Sequence, residues 1–241
     1  MDETNIRIGE WMQKGFDLYQ KNFQNLAIAG LLVAVLGGLT LGVLAGPMEA
    51  GLILMVLALV DGRESKPQPG DVFKGFSFFL QTFLFMLAWW LAAGAVFLVL
   101  MWIPCVGPLI WTAGAIVLGA LLMFGLFLIV DRGLPFWPAS LASIQRVKQD
   151  LLPLLGFGVL TVLIQSCGGL VGGWIPFIGP LLSLAAWALL GPLSCCMVAV
   201  AYRDVFDRRT IDVEPVEAAA APPTQPTTTE PPSSAPQPPG L

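Results

Sequence analysis

Histidine is absent from this chain of 241 residues, and only four residues are cysteines. Protein sites for zinc and related metals draw on clusters of these two residue types at short, fixed spacings, and the sequence contains no such cluster. It also lacks a glycine-rich phosphate loop, a pair of carboxylates and any arrangement of a nucleophile with a base. We therefore expect no enzymatic activity, no metal and no cofactor, and we expect no nucleic-acid partner.

Charged residues are scarce as well. They make up 12% of the chain, about half the share of roughly 25% found in soluble domains, and the mean hydropathy is +0.78. No charge occurs in residues 75–130 or 151–202, and residues 22–60 contain only one, Glu49. Each stretch can hold two helices of about 20 apolar residues, the length that crosses a bilayer. The sequence therefore predicts an all-α integral membrane protein with six transmembrane helices within residues 23–206.

A nine-residue motif occurs twice, as WIPCVGPLI at residues 102–110 and as WIPFIGPLL at residues 174–182. Proline cannot continue a preceding helix but suits the first turn of the next one, so each copy predicts a turn between two helices. The helix after each copy ends in a neighbouring Asp and Arg, and so does the helix that ends near Asp61. This pattern predicts three parallel helical-hairpin repeats. The repeats cover about residues 8–63, 70–133 and 138–206.

The first repeat lacks the motif, and helix length places its turn at residues 37–42. The twelve Lys and Arg residues then all fall on the side opposite the three turns. The positive-inside rule makes that side cytoplasmic, so we expect a multi-pass protein of the cell inner membrane with both termini in the cytoplasm. The start of the chain, MDETNIRIGEW, lacks the apolar core of a signal peptide, so the first hairpin is expected to direct insertion.

Residues 1–22 predict an amphipathic helix at the membrane interface. Charges recur along one side, with Glu10 and Lys14 as a favourable pair four residues apart, while Trp11 and Phe16 lie on the opposite side. Contact with the lipid surface and a simple solvated face both fit this pattern.

The last segment, residues 207–241, is rich in Pro, Ala and Thr and has no aromatic residue. Such a composition predicts a disordered tail, because it cannot bury enough apolar surface to fold. An interaction arm and a plain spacer are both compatible with it.

Glu49 is the candidate functional residue of the membrane domain. It precedes Asp61 by twelve residues, or about 18 Å at 1.5 Å per residue, which places it near the middle of a bilayer. A carboxyl group at that depth is costly and marks a functional hypothesis. Two interpretations stay open: a relay for protons or cations, and a protonated structural acid that is hydrogen-bonded inside the bundle.

Small residues at four-residue steps flank this acid. They predict a ridge on which another helix packs closely. The predicted helix-packing residues are Gly38, Gly42, Gly46 and Ala50.

Two further features lie near the predicted turns. Residues 168–173 contain overlapping GxxxG spacings, and their position directly before the second WIP motif favours a loop over a helix-packing face. A disulfide between Cys105 and Cys167 stays open, because sequence spacing does not fix its geometry.

The order of these features resembles a known group. The residues that carry the resemblance are Gly46-Pro47 and Gly51, the following VDGR, DVFKGF at 71–76, the IPxxGPL turns and AYRDVF at 201–206. They resemble the bacterial six-helix inner-membrane proteins related to the membrane domain of glycerophosphodiester phosphodiesterases, over about residues 5–207. The resemblance implies six helices after an amphipathic helix. The catalytic domain of those phosphodiesterases is absent from this sequence, so lipid hydrolysis is not implied.

The expected function is a non-enzymatic, structural or organising role, with membrane lipid and other membrane proteins as the candidate partners. The alternative is a small-solute or ion transporter or channel that uses Glu49. A water-lined cavity that reaches Glu49 would favour the alternative, and a dry, glycine-packed interior would favour the first interpretation.

Overall fold

The structure, a computed structural model, describes residues 8–62, 68–103, 106–173 and 178–207. Within these ranges the chain is all-helical and forms no strand, which confirms the predicted all-α class at this level. The predicted tail after Asp207 and Cys105 of the disulfide hypothesis lie outside the described residues.

The described residues form nine α-helices and one 3₁₀ helix. The α-helices are α1 (Ile8–Lys21), α2 (Phe23–Leu39), α3 (Ala45–Val60), α4 (Phe79–Leu100), α5 (Val106–Leu122), α6 (Gly125–Arg132), α7 (Phe136–Gln149), α8 (Leu151–Gly173) and α9 (Gly179–Asp207). The 3₁₀ helix, Pro69–Phe78, leads directly into α4.

Three helical stretches are long and apolar enough to cross a membrane: Pro69–Leu100, Val106–Arg132 and Leu181–Phe206. The pairs α1–α2 and α7–α8 qualify only as broken spans, because they bend by 93° and 118°. Helix α3 is apolar but has 16 residues. By length and composition, the described residues therefore hold three to five stretches that could cross a membrane, which is consistent with a helical membrane protein.

Helix α1 packs one side against α9. Trp11 is buried, and a Cβ added to Gly15 would lie 2.7 Å from the backbone of Met197 on α9. The predicted pair of Lys14 and Glu10 is present at 3.7 Å on the exposed side. Part of the predicted apolar face is therefore covered by protein.

The 3₁₀ helix packs on α3 with almost no space between the two backbones. A Cβ added to Gly51 would overlap the carbonyl group of Val72, and one added to Gly75 would overlap the carbonyl oxygen of Pro47. Only glycine permits such an approach of two backbones. This contact fixes the segment before α4 against the middle of α3.

The four predicted helix-packing residues, Gly38, Gly42, Gly46 and Ala50, differ in their surroundings. Gly38 and Gly42 have no atom within 4 Å of an added Cβ, whereas Gly46 lies against the backbone of Thr82 on α4 and Ala50 is fully buried. The reason is the turn at residues 40–44, which separates α2 from α3 and ends the four-residue periodicity.

That turn overlaps the predicted range of residues 37–42 but begins three residues later, at Thr40. Helix α2 continues to Leu39, and the Thr40 hydroxyl then donates a hydrogen bond to the Leu36 carbonyl at 2.7 Å. Leu41 and Gly42, with φ of 52° and 87°, then reverse the chain. Gly37 and Gly38 therefore remain in the helix, whereas Gly42 lies in the turn.

The loop favoured for residues 168–173 is also wrong, because this segment continues α8 as helix to Gly173. Glycine in a helix costs about 1 kcal/mol relative to alanine. In apolar surroundings that cost is smaller than the cost of leaving backbone groups without hydrogen bonds.

Candidate ligand cavity

A cavity of about 630 Å³ lies among the helices. Residues of α2, α3, α4, α5, α6, α8 and α9 line it, together with the turn at residues 40–44. Most of the lining is apolar. Small-molecule sites in proteins typically measure about 300–1,000 Å³ and combine apolar walls with a few polar groups. The size and lining of this cavity fit that description.

The polar groups of the cavity come from three helices. Glu49 of α3, Gln165 of α8 and Ser194 of α9 all contribute to the lining. Gln165 Nε2 donates a hydrogen bond to Ser194 Oγ at 2.8 Å, and Ser194 Oγ donates to the Leu190 carbonyl at 2.8 Å. We call Glu49, Gln165 and Ser194 the polar pole of the cavity.

The carboxyl group of Glu49 has no hydrogen bond or ion pair with the described residues. Its side chain is half-buried, because it borders the cavity. The structural acid considered above would be hydrogen-bonded within the bundle. The geometry gives no such partner in the described part of the chain.

Three exposed side chains mark where the cavity reaches the surface. Leu41 is 94% exposed, Trp90 73% and Trp187 54%, and all three contribute to the lining. Trp90 lies on α4 and Trp187 on α9. A molecule with an apolar chain could therefore enter from the side of the bundle.

An ion-pair cluster joins three helices at the end of the bundle opposite the turn at residues 40–44. Arg203 of α9 lies between Asp61, which caps α3, and Asp131 of α6. Its Nη2 donates to Asp61 Oδ2 at 2.9 Å and to Asp131 Oδ1 at 3.0 Å, and its Nη1 donates to Asp131 Oδ2 at 3.0 Å. Tyr202 Oη also donates to Asp131 Oδ2, at 2.8 Å. We call Asp61, Asp131, Tyr202 and Arg203 the clamp.

Two contacts extend the clamp along the same end of the bundle. The Arg132 guanidinium lies over the Phe206 ring, 5.5 Å from its centroid. Trp11 Nε1 of α1 donates to Asp204 Oδ2 at 3.1 Å. The ends of α1, α3, α6 and α9 are therefore tied together by polar contacts.

The sequence identified some of these residues but not their arrangement. Neighbouring Asp and Arg residues mark the ends of the three predicted repeats in the sequence. The structure brings Asp61, Asp131 and Arg203 into contact. Glu49 was singled out by its charge. The hydrogen bond between Gln165 and Ser194 was missed, since two polar residues 29 positions apart on apolar helices carry no pairing signal.

No protein-family model, no curated protein and no solved structure matches the chain. The resemblance stated above therefore stays a prediction.

Proposed function

We propose that this protein is a non-enzymatic, multi-pass membrane protein that holds an amphipathic, lipid-like molecule in its cavity. The observation that carries the proposal is the cavity itself, with a mostly apolar lining, a polar pole at Glu49 and exposed lining residues that include Trp90 and Trp187. An apolar chain gains free energy when it leaves water, but it gains little on moving from lipid into protein. Specific retention of a lipid-like molecule therefore depends on the polar pole.

The proposal includes six membrane-crossing helices arranged as three parallel hairpins. The cavity lining supports it, because Glu49, Leu122 and Ser194 occupy equivalent positions in the three predicted repeats and all face the cavity. The clamp supports it as well, because its charged members are the Asp and Arg residues that mark the three repeat ends.

In this arrangement the clamp end is cytoplasmic and the chain lies in the cell inner membrane with both termini inside. The basic residues support this orientation, because Arg203 belongs to the clamp, Arg132 ends α6 beside it and Arg146 lies on α7, which follows α6. Reporter fusions at Arg63 and Cys105 should report opposite sides, with Arg63 inside.

A labelling experiment tests the proposed ligand class. A dodecanol that carries a diazirine is equilibrated with the protein in phosphatidylcholine nanodiscs, activated by light and mapped by mass spectrometry of peptides. We expect label on Ile53, which lines the cavity and is only 1% exposed. Label confined to lipid-accessible residues such as Leu98, which is 65% exposed and lies outside the cavity lining, would contradict the proposal.

A blocking variant sharpens this test. Gly191 lines the cavity, and a Cβ added there would meet no atom within 4 Å, so Gly191→Phe should fill the space and abolish the label on Ile53. Gly94→Phe is the matched control, because Gly94 also has open space around it but lies on α4 outside the lining. Its label should equal that of the unmodified protein.

The second candidate function is proton- or ion-coupled transport of a small solute. The observation that favours it is that Glu49 borders the cavity without a hydrogen-bond partner among the described residues. Solute uptake into proteoliposomes decides between the two. Uptake that Glu49→Gln abolishes in a stable, inserted protein would favour transport.

A further inference from the structure

Two hydrogen-bond acceptors of the cavity have no partner among the described residues. The Ser194 hydroxyl already donates to the Leu190 carbonyl and accepts from Gln165 Nε2, and the Thr161 hydroxyl donates to the Gly158 carbonyl at 2.8 Å. The Glu49 carboxyl and the Gln165 Oε1 atom have no hydrogen bond with the described residues. A ligand headgroup that donates hydrogen bonds would satisfy both.

The charge of the lining residues also favours a headgroup that donates hydrogen bonds. Glu49 is the only ionisable carboxylic acid among the described lining residues, and none of those residues is Lys or Arg. An anionic headgroup would find no positive partner there. A cationic headgroup would form charge-assisted hydrogen bonds with Glu49, which are about twice as strong as neutral ones.

The opening suits a cation as well. Trp90 and Trp187 are exposed lining residues, and the face of an indole ring attracts ammonium groups by about 0.5–1 kcal/mol at exposed sites. The walls between the opening and the polar pole are apolar, with Met86 and Met123 among them. Methionine side chains adapt their shape to irregular apolar ligands.

The geometry points to a ligand with one apolar chain and a primary amine, held by Glu49 and Gln165 through its ammonium group. This inference rests on the proposed function, because it names the headgroup of the molecule that the cavity holds. The inference also gives Glu49 a third role, which differs from those of a proton relay and of a structural acid. The unpaired acid selects the ligand.

Competition against the diazirine-labelled dodecanol tests this headgroup. Dodecylamine, dodecanol and dodecanoate are compared in nanodiscs, each at concentrations corrected for its measured partition into the bilayer. In the unmodified protein, dodecylamine should halve the label on Ile53 at a concentration at least about tenfold lower than either of the others, a difference of about 1.4 kcal/mol. Equal competition by all three would overturn the inference.

The variant Glu49→Gln assigns the preference to one residue. It should lower the advantage of dodecylamine to less than about threefold and leave the competition by dodecanol unchanged, because a neutral amide no longer pairs with the ammonium group. Asp17→Asn is the matched control, since it removes one acid from the exposed side of α1, far from the cavity lining. It should keep the full advantage.

The outcomes separate this inference from the proposed function. Absence of cavity label in the unmodified protein defeats the proposed function. Cavity label with no preference for the amine, or with a preference that survives Glu49→Gln, defeats the inference alone. The comparison of the three headgroups uses only the unmodified protein, so it holds even if Glu49→Gln does not fold.

Discussion

Replacing Gly51 with alanine should destabilise the protein by about 3 kcal/mol or more and deplete the folded, monodisperse fraction. The added methyl group would overlap the carbonyl group of Val72. The backbone of the 3₁₀ helix cannot retreat easily, because Val72 is fully buried and Gly75 is equally close to Pro47. Overpacking of a well-filled contact costs about 1–3 kcal/mol, and more where backbone must shift.

The matched control for Gly51→Ala is Gly94→Ala. Both glycines lie inside helices, but a Cβ added to Gly94 meets no atom within 4 Å. Alanine should therefore be neutral there or stabilise the helix by about 0.5–1 kcal/mol. Thermal unfolding in detergent and size-exclusion profiles measure both. Equal stability of the two variants would mean that the 3₁₀ helix does not pack on α3 as described.

Replacing Arg203 with alanine should destabilise the protein by about 2–3 kcal/mol. The substitution leaves Asp61 and Asp131 as two acids near each other without their shared guanidinium group. Breaking a buried ion pair costs about 3–5 kcal/mol. The loss expected for Arg203→Ala is smaller, because each of the three side chains is about one-fifth exposed. Arg203→Lys should recover only part of the loss, since an ammonium group cannot bind two carboxylates in a forked geometry.

The control for Arg203→Ala is Lys74→Ala. Lys74 also forms an ion pair, with Asp71 at 2.8 Å, but its side chain is 71% exposed. Such a pair contributes at most about 1 kcal/mol. Chemical unfolding of the purified proteins compares the variants. If Arg203→Ala were no more harmful than Lys74→Ala, the clamp would not hold the helix ends together.

The few charged residues of the apolar segments were the most informative part of the sequence about the structure. Asp61, Asp131 and Arg203 stand out in an apolar chain, and their recurrence at helix ends anticipated the place where the clamp forms. Glu49 stood out for the same reason. An ionisable group must either find a partner or border a cavity, so its presence constrains the structure around it.

The cavity could not be predicted in this way. The transmembrane helices are apolar on all sides, so no periodicity tells which face turns inward. The space depends on close approaches such as that of Gly30 on α2 to Ala188 and Pro192 on α9, where a Cβ would overlap the neighbouring helix. Glycines at 38, 42 and 46 looked equivalent in sequence, yet only Gly46 makes such a contact.

The positions of the turns were the least predictable part of the fold. A proline marked the start of α5, where Pro108 lies in the first turn as expected. At the first turn, by contrast, α2 ends at Leu39 with Thr40 as its cap, followed by Leu41 and Gly42, which both have a positive φ. Gly42 lies within the predicted range of residues 37–42, but leucine rarely adopts this conformation, so the sequence alone does not indicate that Leu41 takes part.

Native mass spectrometry of the protein released from its own membranes tests the central claim most directly. The account predicts a bound amphiphile of one class on the unmodified protein and on Gly94→Phe, and its loss from Gly191→Phe, because only the last substitution fills the cavity. The same pattern of bound molecules on all three proteins would contradict the claim that the cavity holds the ligand.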